Sequence, residues 1–365
     1  MGTFMPFPWK TVVLCLLASL FSLPQQLRGE THLISFQVPD SRATYPQSIN
    51  EAATVTGYYS SSTGVSSGFV RYEDGQIITF DVPGSVATIP VSINTAGDIT
   101  GYYNLPTGLP QGFVRTPEGK ITTFGNPVTT ASPASFWAQP IAINVSGEII
   151  GNYPDSALAS LVFLRSAAGV VLNFSVSLGA HYSTVATGLS AGGAVVGYAS
   201  SQSLNLAEGF LWNGQGPPPN PGGGFTPITV AGSTGTFPTG INAEGTIVGC
   251  YAAGGLYHYF VRARDGVVKT LYIPGTVPDC MAVITPGFIA VVPQPILVND
   301  LGSIIGYTIN AAQIATAFIR LENGVVTPFN YPGSKQTIPT SINNCDVITG
   351  YYSLGQETIG FLREP

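Results

Sequence analysis

An aliphatic residue followed by Asn recurs along this chain, at Ile49-Asn50, Ile93-Asn94, Ile143-Asn144, Ile241-Asn242, Val298-Asn299 and Ile342-Asn343, with Leu189-Ser190 as a variant. Seven residues after each stands a glycine (Gly57, Gly101, Gly151, Gly197, Gly249, Gly306, Gly350), with tyrosine close behind. A phenylalanine follows 11 to 13 residues later: Phe69, Phe113, Phe163, Phe210, Phe260, Phe318 and Phe361. The period runs from 44 to 57 residues. Self-similarity of this kind constrains the fold strongly, because each copy must be one supersecondary unit that buries its faces against its neighbours.

Each copy parses into four short strands. In the second they are expected near Ile89–Ile93, Asp98–Tyr103, Gly112–Arg115 and Lys120–Phe124, rich in β-branched and aromatic residues. Asn-x-x-Gly joins the first two strands in four copies, ending at Gly97, Gly147, Gly245 and Gly302, and Ser190 to Gly193 is a related form. That spacing suits a type I turn with a left-handed glycine. Asp74-Gly75, Glu118-Gly119, Asp265-Gly266 and Asn323-Gly324 mark a second tight hairpin. Pro46, Pro90, Pro140, Pro238, Pro295 and Pro339 stand four residues before the motif Asn. Proline cannot donate to a ladder, so the first strand must be an edge. Four strands per 40 to 50 residues, with the first as inner edge, is the pattern of a propeller blade.

The last copy stops at Gly360-Phe361-Leu362-Arg363 without a fourth strand, while Ile34-Ser35-Phe36-Gln37-Val38-Pro39 matches Ile78-Thr79-Phe80-Asp81-Val82-Pro83. The expected fold is all-β: a seven-bladed β-propeller of four-stranded blades, closed by the N-terminal strand completing the last blade. Residues 31–365 then form one domain. The Pro- and Gly-rich stretch from Gly214 to Gly224 reads as a hairpin insertion, since repeat markers continue on both sides.

Composition narrows the function. Charged residues make up 9% of the chain, with 13 Lys+Arg against 19 Asp+Glu, which argues against a nucleic-acid binder working through a basic patch. Residues 1–30 read as a signal peptide: Thr11–Leu23 is an apolar stretch after Lys10, too short to span a bilayer. The mature chain is expected to be secreted or periplasmic, without a membrane span. Setting Cys15 aside with the leader leaves Cys250, Cys280 and Cys345, whose spacing fits no zinc site. Cys250 and Cys280 fall near one end of the fifth copy and are expected to pair, stapling its long loop and leaving Cys345 without an intrachain partner.

Gly-Phe-[Val/Leu]-Arg, Thr-Phe-Asp-Val-Pro-Gly and Ile-Asn-x-x-Gly-x-Ile-x-Gly-Tyr resemble the repeats of the HAF-type extracellular proteins of bacteria, over residues 33 to 363. Ala317-Phe318 and His258-Tyr259-Phe260 preserve part of the motif that names that family. The resemblance implies a secreted repeat protein of unassigned activity and brings no catalytic residues or cofactor.

The residues themselves leave several readings open. The motif Asn is read as capping the turn that it opens. The tyrosines Tyr58, Tyr59, Tyr102, Tyr103, Tyr351 and Tyr352 read as inter-blade packing, with sugar-stacking platforms as the other reading. Arg71, Arg115, Arg165, Arg262, Arg320 and Arg363 share one repeat position, where Trp212 replaces Arg in the seventh. Pairing with nearby acids such as Asp74 and Glu118 is the plainer account of them; a ring binding an anionic polymer is the other. Glu51, Asp98, Glu148, Glu244, Asp300 and Asp346 are spread over the first turns and not gathered. With three histidines and no Gly-x-Ser-x-Gly elbow, phosphate loop or calcium loop, catalysis is disfavoured.

Departures from the repeat point to function. The Pro-to-Asn loop takes 11 residues in three copies but 17 from Pro127 to Asn144 and 25 from Pro274 to Asn299. Both insertions fall on one face, where Phe136, Trp137, His181, Tyr182, Tyr257 and His258 form the candidate ligand surface. The expected role is a non-catalytic binding or scaffold module for an extracellular glycan or protein. A polysaccharide-acting hydrolase or lyase, or a self-associating surface-structural protein, are the alternatives.

Overall fold

The computed structural model describes residues 32–106, 110–125, 138–154, 160–176, 183–201, 206–214, 224–273, 277–278, 280 and 295–365. The leader, most of the two long insertions and the centre of the Pro- and Gly-rich stretch lie outside these residues. The chain is all-β. Its second copy shows the unit: Ala87–Ile93, Ile99–Asn104, Pro110–Arg115 and Ile121–Phe124 pair in sequence order, each antiparallel to the last. The first unit is Ser41–Ile49, Val55–Ser61, Ser66–Arg71 and Ile77–Phe80, built the same way. Single parallel bridges join neighbouring units, as between Ala207 and Gly235 or Ala315 and Gln336.

The prolines explain the inner strand. In the first unit Pro46 pairs with Gly57, and the register then shifts by one residue before Ser48. The same shift follows Pro90, Pro140, Pro238 and Pro339. A residue without an N–H sits where a bulge interrupts the ladder, and the bulge drives the strand's backbone toward its partner. This is why a glycine recurs seven residues after the motif Asn. A Cβ at Gly57 would run into the carbonyl of Tyr45 and stand 2.8 Å from the Cα of Pro46, and one at Gly101 would meet Ile89 and Pro90 alike.

The motif turn carries the other backbone constraint. Gly97 N–H donates to the carbonyl of Asn94 at 3.0 Å, and Asn94 N–H to that of Asp98 at 3.0 Å. The fourth turn residue is left-handed throughout: φ is 89° at Gly97, 76° at Gly147, 82° at Gly245 and 78° at Gly302. Two copies hold a side chain in that strained region, Ala53 at 53° and Asp346 at 57°.

Units meet face to face through a repeated aromatic contact. The outer-strand Phe of one unit packs edge-on against the third-strand Phe of the next: Phe80 on Phe113 at 6.1 Å between centroids, and Phe124 on Phe163 at 6.2 Å. The guanidinium beside that Phe covers the same ring, with Arg115 4.9 Å from Phe80 and Arg165 4.8 Å from Phe124. Trp212 replaces the arginine and packs on Phe174 at 5.8 Å. Arg115 and Arg165 also donate to the carbonyls of Thr116 and Ser166. The expected local acid is present at Arg71, which Asp74 and Glu364 act on, and to it the structure adds a neighbouring ring and the carbonyl of the arginine's own hairpin. Arg71, Arg115 and Arg363 are buried, so they present no surface to an anionic polymer.

At the termini, Leu33–Phe36 runs antiparallel to Glu357–Arg363, pairing Leu33 with Arg363 and Phe36 with Gly360. Phe36 then meets Phe69 at 6.1 Å and lies 5.0 Å under Arg71, the contact seen between other neighbours. Inner strands lie against one another in succession, and Gln336–Ile342 lies against Ser41–Ile49.

Cys250 and Cys280 form a disulfide with Cα atoms 6.2 Å apart. Cys345 is also disulfide-bonded, and no cysteine is free among the described residues. The expectation of a free Cys345 is thereby corrected. No helix among the described residues is long and apolar enough to cross a membrane.

Candidate functional site

The motif asparagines do more than cap their turns. The side-chain oxygen of Asn50 accepts from the N–H groups of Ala52 and Thr54, as expected of a turn-opening Asn. Its amide then reaches the next unit and donates to the carbonyl of Asn94 at 3.2 Å. Asn94 does the same to Asn144, Asn242 to Asn299, Asn299 to Asn343, and Asn343 to Asn50. Ser190 has no amide to extend, and Asn144 turns to Glu148 instead at 2.7 Å. All of these side chains are buried. One end of the molecule is therefore laced by a belt that is interrupted around Ser190.

A second, shorter belt lies one residue further on. Ala243 N–H donates to Asp300, Asp300 N–H to the Asn344 side chain, and Asn344 N–H to Glu51, at 2.7, 2.9 and 3.1 Å. Asn344 also donates its amide to Asp300 at 3.1 Å. The carboxylates read as spread apart are here linked through Asn344. Burial, with Asp300 nearby, pushes the Glu51 carboxyl up from its ordinary 4.5, against the lowering hydrogen bond from Asn344. Among the described residues no group of three or more His, Cys, Asp or Glu is placed to hold a metal ion.

The opposite end carries the described second-to-third strand turns, among them those at 62–65 and 254–255. Of the candidate surface, Phe136, Trp137, His181 and Tyr182 lie outside the described residues. Tyr257 and His258 begin the strand Leu256–Arg262, just after a turn whose Gly254 and Gly255 are both left-handed. His258 stacks on Tyr251 with centroids 5.0 Å apart and planes 26° apart, and the Tyr251 hydroxyl bonds Thr270 at 2.7 Å. Leu256 is 59% exposed beside them and Tyr272 is 74% exposed. The Cys250–Cys280 bond ties the departing loop to the middle of Ile247–Ala253, so this aromatic corner has a rigid base.

A second aromatic group sits beside the inner strands, at the depth of the bulges. Tyr45 stacks on Tyr58 at 4.8 Å and meets the edge of Tyr351 at 5.3 Å. Burial raises the phenols of Tyr58 and Tyr351, and each also feels its neighbours: Tyr45 and Tyr102 around Tyr58, and Tyr58, Tyr307 and Tyr45 around Tyr351. Tyr102 is pushed up to about 12 by burial, against a hydrogen bond with Gln139. The sequence reading of these tyrosines as packing, with hydroxyls reaching polar rims, thus holds for the rings of Tyr58 and Tyr351, whose hydroxyls stand among other tyrosines. The signal was present in Tyr45, one position before the bulge proline and cross-strand from Tyr58.

No protein-family model matches the chain, and no curated protein matches it. Among solved structures it is similar to a streptogramin B lyase, with TM-score 0.55 and 14% identity over 92% of this chain and 98% of that one. Virginiamycin B lyase from Staphylococcus aureus gives 0.56 and 12% over 91% and 99%. A puromycin hydrolase gives 0.60 and 12% over 88% of this chain and 52% of that one. Identities this low bear on the fold alone, which is that of a β-propeller.

Proposed function

We propose that this β-propeller is a non-catalytic binding module of the extracytoplasmic space, a relative of the HAF-type repeat proteins, that holds a glycan or protein on its long-loop face. The observation that carries the reading is the corner at Tyr251, Tyr257 and His258. The half-buried Tyr257 and His258 stand beside the exposed Leu256 there, with His258 stacked on the buried Tyr251 of the neighbouring strand that the disulfide pins. Such rigid amphipathic rings supply contact area at small entropic cost, which suits recognition. The carboxylates that approach one another, Glu51 and Asp300, lie at the other end and are spent on backbone N–H groups. The enzyme alternative therefore has less to stand on at the long-loop face.

The scaffold in this reading is a closed ring of seven blades. It is supported by the ladder between Leu33–Phe36 and Glu357–Arg363, by the bond from Asn343 to Asn50, and by the succession of adjacent inner strands. Export is supported by the Cys250–Cys280 bond, which persists in oxidising compartments.

The test is binding of the purified chain to a glycan array and to extracellular protein extracts, with Leu256→Ser and His258→Ala as paired variants. Binding that both variants weaken tenfold or more supports the assignment. Binding that neither variant changes removes the corner from the site.

A further inference from the structure

Three phenols of the inner group are placed as no packing residue needs to be. Tyr45, Tyr58 and Tyr351 touch one another through their rings, yet no described residue donates to or accepts from their hydroxyls. The contrast with other tyrosines is plain. Tyr259 donates to the carbonyl of Tyr307 at 2.6 Å, Tyr103 to Gln111 at 2.7 Å, and Tyr352 to Ser35 at 3.1 Å. A phenol sealed in protein without a partner would bear its desolvation penalty uncompensated. The sealed, unpartnered side-chain polar atoms among the described residues are Arg71 Nε and Thr116 Oγ1 only. The three phenol oxygens therefore face space that solvent reaches, while their rings are half-buried.

The chemistry of that space is narrow. Among the described residues the titratable groups that act on Tyr58 and Tyr351 are other tyrosines, which offer no formal counter-charge. A charged ligand would be desolvated without compensation. A neutral ligand with several hydroxyls and a face of C–H groups would meet phenol rings on one side and unsatisfied O–H groups on the other. The neutral saccharides have that constitution.

We infer that Tyr45, Tyr58 and Tyr351 line a binding site for a neutral saccharide, distinct from the corner at His258. The ring surface that the Tyr45–Tyr58 stack leaves uncovered holds the sugar's C–H surface, and the phenol oxygens exchange hydrogen bonds with its hydroxyls. The site does not depend on the proposed corner, and its failure would leave that corner standing.

The test uses the full chain and a panel of neutral mono- and oligosaccharides, with anionic counterparts alongside, followed by calorimetric titration of the tightest neutral binder. The double variant Tyr58→Phe/Tyr351→Phe keeps both rings and removes both hydroxyls, and Tyr45→Phe is the single companion. Tyr352→Phe removes a hydroxyl bonded elsewhere, and His258→Ala reports on the corner. The expected result is a neutral saccharide bound at least tenfold more weakly by the double variant, with unchanged thermal midpoint, and normally by Tyr352→Phe and His258→Ala. Equal affinity of wild type and double variant, no neutral saccharide bound, or preference for the anionic panel would each overturn the inference. Loss in His258→Ala alone would also overturn it, while supporting the corner.

Discussion

The side-chain amide of Asn343 donates to the carbonyl oxygen of Asn50 at 3.1 Å, joining the last repeat to the first across 293 positions of sequence. Asn343→Asp keeps the oxygen that caps Cys345 and Val347 but removes this donor. The Asn50 carbonyl keeps the N–H of Ala53 at 3.1 Å, so the expected cost is that of one lost hydrogen bond, about 0.5–1.5 kcal/mol, read as a lower denaturant midpoint with unchanged slope.

The belt predicts a gain as well. Ser190 Oγ already accepts from Ala194 N–H, so its turn is capped, but it sends nothing to the neighbouring unit. Ser190→Asn restores the capping oxygen and adds the missing amide. A gain of about 0.5–1.5 kcal/mol is expected by chemical unfolding. A loss would mean that the units flanking Ser190 are spaced differently from the rest.

Backbone strain separates two further substitutions. Ala53→Gly relieves a left-handed alanine and is expected to raise stability by up to about 1 kcal/mol, after the entropy cost of glycine. Gly101→Ala drives a Cβ into the bulged strand at Ile89 and Pro90 and is expected to lower the thermal midpoint by many degrees. Both are read by thermal unfolding of the same preparation.

Glu51 supplies a pH dependence. Its folded carboxyl titrates above 4.5, so the folded state holds the proton more tightly than the unfolded one. The associated stability is present below the unfolded value and is lost as pH rises through the folded one. Glu51→Gln keeps an acceptor for Asn344 N–H and removes the titration. The variant is expected to gain on wild type between pH 4 and pH 7, on the order of the window around ordinary carboxylates. Thermal midpoints at the two pH values check it; a wild-type advantage at pH 7 would contradict the sign.

Contacts inside a repeat were legible in the sequence, because spacing along a chain and across a two-residue hairpin is set by strand geometry alone. Asn94 opening its turn, Gly97 closing it and Pro90 marking an inner edge all followed from that. Contacts between repeats were not, since they depend on the angle at which one sheet meets the next. The Arg115 guanidinium was read against Glu118, three residues away, when its ring partner Phe80 belongs to the preceding unit. The Asn50 amide was read as part of its own turn for the same reason. The gathering of Tyr58 and Tyr351 around Tyr45 was hidden more deeply, because it joins the first repeat to the last.

All of this rests on residues 33–36 sharing a sheet with residues 357–363. Hydrogen exchange followed by mass spectrometry on peptides covering 32–38 and 357–363 measures that most directly. The account expects both peptides to be protected together, opening only with global unfolding. Exchange of 32–38 within seconds, while 357–363 stays protected, would contradict it.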